Sequence, residues 1–171
     1  GGIQMKKLAI VGAVLVWLLI SFSCQQNKRV SYHKPPTGEP EAQGVWKYIT
    51  DTNPYTQWRF FPGYEGIYPG QSPHGAYLKL YVNDPAYRAA KNKTAMPDGA
   101  ILVKENYGKD KQTLKAVTPM YRVYGYNPAA DDWFWAKYGP KGKVMAAGKV
   151  NSCIQCHRSA KGDDYLFTEP K

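Results

Sequence analysis

Cys153-Ile154-Gln155-Cys156-His157, fourteen residues from the C-terminus, constrains this chain more than any other segment. The spacing C-x-x-C-H is the attachment signature of a c-type haem. Two thiols add across the haem vinyl groups, and two intervening residues hold them at the right separation on one helical turn. The adjacent imidazole of His157 then reaches iron as the proximal ligand. Two other chemistries use part of this pattern, a redox dithiol and half of a zinc site. Structural zinc needs four ligands, and beyond the motif only Cys24, His33 and His74 offer a thiol or imidazole. A thioredoxin-like dithiol wants a βαβ context, which the sequence does not supply.

The N-terminus points the same way. Met5-Lys6-Lys7 precedes an uncharged run over residues 8–22. The run suits the apolar region of a secretory signal and is short for a membrane span of about 20 residues. Gly1 to Gln4 read as an extension before the start methionine, so residues 1–23 are expected to be a signal peptide with that extension. Export suits the haem motif, because thioether attachment is completed outside the bacterial cytoplasm. Ile20-Ser21-Phe22-Ser23-Cys24 is similar to a bacterial lipobox, although Ser21 stands where that pattern has leucine. Lipidation of Cys24 would add several acyl chains and tether the domain firmly to a periplasmic membrane surface; cleavage nearby without lipid is the alternative. All three cysteines are then assigned and none is left for a disulfide. Residues 24–44, rich in Pro, Gly and polar side chains, read as a flexible tether in which His33 is a solvated linker residue. Residues 45–171 form the haem domain, long enough to bury a core of its own.

The formal charge of +10 falls to +8 once Lys6 and Lys7 leave with the signal. Basic residues are scattered rather than gathered in a stripe with exposed aromatics, which argues against a nucleic-acid partner. An acidic redox partner protein is compatible with such a surface.

The place of the motif discriminates among haem folds. No methionine follows His157, which excludes an early motif with a later methionine ligand. A four-helix bundle would need long helical periodicity upstream, and the texture there is different. Residues 77–82 (YLKLYV), 100–107 (AILVKENY), 120–126 (MYRVYGY), 133–138 (WFWAKY) and 143–147 read as strands, the last two joined through Gly139-Pro140-Lys141-Gly142. Asp84 is expected to cap a short helix with Pro85 at its first position. Met96-Pro97-Asp98-Gly99 reads as a turn. The expected fold is mainly β (α+β), an antiparallel sheet with a few short helices, one near residues 45–50 and a haem helix at the end. The aromatics Tyr124, Tyr126, Trp133, Phe134 and Trp135 are expected in the core and haem walls.

The segments SPHGAYLKLYVND, MPDGAILVKENYG, NPAADDWFWAKYGPKGK and GKVNSCIQCH, in that order, resemble the cytochrome P460 family over about residues 46–168. The resemblance implies a mostly antiparallel β fold, often a homodimer, with one covalent haem c per chain. Some members oxidise hydroxylamine, and the related cytochromes c-prime-beta bind nitric oxide or other small gases. It implies thioether bonds at Cys153 and Cys156 and iron ligation by His157. It aligns Lys104 with a lysine that, in catalytic members, bonds to the haem edge; otherwise Lys104 is a plain strand lysine. Alternation puts Lys104 on one face with Leu102, and Ile101, Val103 and Tyr107 on the other, without saying which face meets haem. His74 stands where relatives carry a distal phenylalanine. It could donate to a bound ligand, ligate iron, or simply satisfy a neighbouring carbonyl. Catalytic members also use a distal carboxylate base; Glu105, Asp131 and Asp132 are the nearby carboxylates, each reading as a surface or turn residue. The leading function is turnover or capture of a small nitrogenous ligand at iron, and the alternative is a non-catalytic electron carrier or gas sensor with His74 near or on the iron.

Overall fold

Seven short strands, most of them runs of aromatic and branched residues, pair antiparallel into one sheet. They are β1 (Arg59–Phe60), β2 (Tyr68–Pro69), β3 (Tyr77–Val82), β4 (Ile101–Tyr107), β5 (Leu114–Arg122), β6 (Trp133–Tyr138) and β7 (Val144–Gly148). The order is β1-β3-β4-β5-β6-β7, with β2 also pairing with β3. The computed structural model describes residues 35–36 and 38–167. The expected signal, Cys24, His33 and most of the tether lie outside the described residues. No helix among the described residues is long and apolar enough to cross a membrane.

Both faces of the sheet are covered, so its central strands are buried on both sides. On one face, Tyr81, Ile101, Val103, Val117, Phe134 and Tyr138 pack against Val45, Tyr48 and Ile49. Those three come from α1 (Ala42–Lys47) and the π-helical turn that follows it. On the other face, Leu80, Val82, Leu102, Met120, Trp133 and Trp135 meet α2 (Asp84–Asn92) and α3 (Asn151–His157), the latter through Ile154.

Several expected boundaries shift for identifiable reasons. The first helix begins at Ala42, because the Glu41 carboxylate caps the Gln43 and Gly44 N–H groups. Residues 42–44, assigned to the tether by composition, are therefore helical, and the Tyr121 hydroxyl donates to the Pro36 carbonyl at 2.7 Å. The α2 cap is Asn83 rather than Asp84: its Oδ1 accepts from Ala86 N at 3.2 Å and from Ile101 N at 3.0 Å, tying helix start to strand start. The strand expected over 120–126 runs instead from Leu114 to Arg122. A turn stops it, with Gly125 at φ 78° and Tyr126 N bonded to Val123 O at 3.0 Å. Tyr124 is consequently 87% exposed rather than in the core, and Tyr126 is half-buried, whereas Trp133, Phe134 and Trp135 are buried as expected. Pro119 sits inside β5, where it lacks a donor. The ladder accommodates it: Val117 pairs with Tyr138 and Met120 with Trp135, skipping Thr118 and Pro119 on that side.

Candidate haem site

The C-x-x-C-H segment forms α3, so Cys153, Cys156 and His157, at i, i+3 and i+4, share a face. Both thiols are free, Cys153 half-buried and Cys156 exposed. The chain then continues through a 3-10 segment to Asp164 and Tyr165, both in the left-handed region (φ 55° and 61°). Aspartate visits that region more readily than most residues. This reversal sends the Tyr165 carbonyl back onto α3, where His157 Nδ1 donates to it at 2.7 Å. A neutral imidazole carries one N–H, so Nε2 of His157 keeps its lone pair, the arrangement a metal-binding histidine needs. The reversal is itself anchored: Asp164 accepts from Arg122 Nη1 at 2.7 Å and from Met96 N at 2.8 Å, and Trp133 Nε1 donates to its carbonyl at 2.9 Å.

His157 opens onto a cavity of about 560 Å³, within the range of small-molecule and cofactor pockets of about 300–1,000 Å³. Leu80, Leu102, Met120, Trp135, Leu166 and Phe167 supply apolar wall, and Cys153 and Cys156 line the same space. Trp135 meets the His157 ring edge-on with centroids 4.8 Å apart.

The structure brings both Lys104 and His74 to this cavity. Lys104 lies on β4 opposite Leu80 and Thr118, on the face shared with Leu102 and Asn106. Burial lowers its ammonium to about 8, the nearby Cys156 thiol opposing the shift. Two ion pairs form among the described residues, Arg59–Asp84 and Arg122–Asp164, and neither involves Lys104. His74 is held by Asn106, whose Nδ2 donates to the Lys104 and Ala116 carbonyls and to Thr118 Oγ1 at 3.0, 3.2 and 3.1 Å. That pattern turns Asn106 Oδ1 toward His74 Nδ1 at 2.9 Å and Gly75 N at 3.2 Å. Gly75 has to be glycine for this approach, because a Cβ there would lie 2.5 Å from Tyr107 O. Burial, then the Lys104 ammonium, lower His74 to about 4 against the opposing Asn106 bond, with smaller lowering contributions from His157 and Lys137. His157 is lowered by burial too, its Tyr165 bond opposing.

The carboxylates do not join them. Glu105 points to the opposite face of β4, where Tyr55 and Tyr107 hydroxyls donate to it at 2.9 and 2.7 Å. Asp131 and Asp132 sit in the left-handed turn before β6, Asp132 accepting from Asn127 N at 3.0 Å. Among the described residues no aspartate or glutamate lines the cavity.

Residues 52–168 match the family model described as Cytochrome P460. The chain belongs to the cytochrome P460 family. Among curated proteins none matches it. Members are haem cytochromes, and the residues present fit that cofactor. A P460 haem would find an imidazole with its Nε2 lone pair free, two thiols on the same helical face and apolar walls. Lys104, Lys109, Lys115 and Lys137 also line the cavity, where their positive charge would suit the two carboxylates of a haem. Trp135 Nε1 is the buried side-chain polar atom left without a partner among the described residues, on a residue that lines this cavity. Trp135, expected in the core and haem walls, does line the cavity, whereas Asn106, Asp164 and Tyr165 were not singled out by sequence reasoning. The one available signal was positional: Asn106 stands two residues beyond Lys104 and so on the same strand face.

Proposed function

We propose that this chain is an exported mono-haem c-type cytochrome that takes up a small nitrogenous ligand, nitric oxide or hydroxylamine, at the haem iron. The observation that carries this reading is the meeting of His157, His74 and Lys104 on one haem-sized, otherwise largely apolar cavity. Cys153 and Cys156 hold one haem by thioether bonds, and His157 is its proximal ligand. When bound, the haem supplies an iron that binds the ligand and passes electrons. The apolar walls favour a small ligand at the iron. A redox partner protein and a homodimer complete the expected assembly, with Cys24 as lipid tether in the periplasm.

Between capture and oxidation, the cavity favours capture. Hydroxylamine oxidation releases protons to a base, and no carboxylate lines the cavity among the described residues. Oxidation is favoured by one specific observation, the location of Lys104 on the haem side of β4 without an acidic partner. A bond from its nitrogen to the haem edge replaces one N–H and one C–H by C–N, with two electrons and two protons leaving to an oxidant such as peroxide. The experiment is titration of the ferrous holoprotein with nitric oxide, followed by a hydroxylamine turnover assay with an artificial electron acceptor. A saturable spectral change with nitric oxide and little or no turnover is expected. No spectral response to either compound would overturn the reading. Fast turnover, with haem still attached to the Lys104 peptide after proteolysis, would move it to oxidation.

A further inference from the structure

The rings of His74 and His157 line the same cavity with centroids 6.2 Å apart and planes at 85° to one another. We propose that His74 is the second axial ligand of the haem iron, so that a small ligand enters only by displacing it; this rests on the haem reading above. Imidazole nitrogen binds a first-row metal ion at about 2 Å, and a ring nitrogen lies about 1.2 Å from its own centroid. Two imidazoles on opposite sides of one ion therefore have centroids about 6.4 Å apart. A distal imidazole that merely hydrogen-bonds to an iron-bound molecule stands farther off, at about 8 Å or more, because a hydrogen bond of about 2.8 Å is added. The observed separation accommodates an iron ion and leaves no room for a ligand beside it.

The hydrogen bonds select the same role. Asn106 Nδ2 faces three acceptors, so its Oδ1 faces His74 and accepts the proton of Nδ1. A neutral His74 then has a lone pair, not a hydrogen, on Nε2. It cannot donate to a bound ligand from that nitrogen, but it can coordinate. His157 is prepared identically by the Tyr165 carbonyl. Each imidazole thus has its Nδ1–H fixed to a backbone or amide oxygen and its Nε2 left for metal, the outer-sphere arrangement of histidine ligands. Asn106 is accordingly a positioning residue, acting on the iron through His74. The loop of His74 is packed tightly against β4 through Gly75, so the resting state holds the ligand in place rather than leaving the position open.

The test is the electron paramagnetic resonance and optical spectrum of the ferric holoprotein, with haem content measured independently by pyridine haemochrome. Six-coordinate low-spin iron is expected, with the highly anisotropic low-spin signal that perpendicular imidazole planes produce. His74→Ala should turn the iron high-spin, and added imidazole should restore low spin. Asn106→Leu should raise the high-spin fraction with haem content unchanged. Nitric oxide uptake should saturate with concentration in the wild type, limited by His74 departure, and become linear in His74→Ala. High-spin iron in a haem-loaded wild type overturns the proposal and leaves the haem reading standing, whether or not the variants fold. Low-spin iron that survives His74→Ala also overturns it and hands the position to another side chain such as Lys104. A protein that carries no covalent haem overturns both.

Discussion

The two faces of β4 carry the same kind of sequence and meet opposite fates. On one, Ile101 and Val103 are fully buried and Glu105 nearly so, inside a closed cluster of aromatic and branched side chains. On the other, Leu102, Lys104 and Asn106 line the cavity beside α3. Each face has one charge. Glu105 is satisfied from within by the hydroxyls of Tyr55 and Tyr107. Lys104 meets no carboxylate among the described residues, and Nε1 of Trp135, which lines the same cavity, has no partner. A buried polar group without a partner costs free energy. A face that leaves such groups open is built for an occupant, whereas one that closes them is built for stability.

That contrast can be broken by mutation, and the cavity face should give the largest effect. Replacing both Cys153 and Cys156 with alanine should abolish covalent haem, read as loss of haem staining on denaturing gels, while the polypeptide still folds around its second core. On the closed face, Glu105→Ala should lower stability by about 3 kcal/mol, because it removes two hydrogen bonds to a charged group and strands the buried Tyr55 hydroxyl and the half-buried Tyr107 hydroxyl. Urea denaturation of the apoprotein measures this. Val103→Ala should cost about 2 kcal/mol by leaving a small cavity in the same cluster. Neither should move the haem spectrum. The smallest effect belongs to Lys104→Met, which removes a buried unpaired ammonium and should stabilise the apoprotein by about 1 kcal/mol. A large loss of stability in Lys104→Met would mean that the cavity face, like the closed one, is a structural core.

The same contrast separates what was legible in the sequence from what was not. The strand at Trp133–Tyr138 and its hairpin to β7 follow from a run of aromatic residues and the Gly139–Gly142 turn, and both are found. Alternation also grouped Lys104 with Leu102 correctly. Which of the two faces opens on the cavity depends on where α3 docks, and that is a long-range property. Strand β5 was read four residues too far at its C-terminus and six too short at its start. Pro119 hides a central strand by removing a donor, and the skipped rungs opposite β6 that absorb it have no local signature. The haem motif was readable because its spacing is chemistry. Its supports were not, because Tyr165 contributes a backbone carbonyl and Asn106 a hydrogen-bond orientation, neither of which depends on a recognisable residue pattern.

The most direct test of the claim that the open face of β4 is a haem face is the mass of the protein produced with a cytochrome c maturation system. The intact chain should gain the mass of one haem, and proteolysis should recover that haem on the peptide containing Cys153 and Cys156. A chain with the mass of bare polypeptide, produced alongside a control cytochrome that is fully loaded, would contradict it.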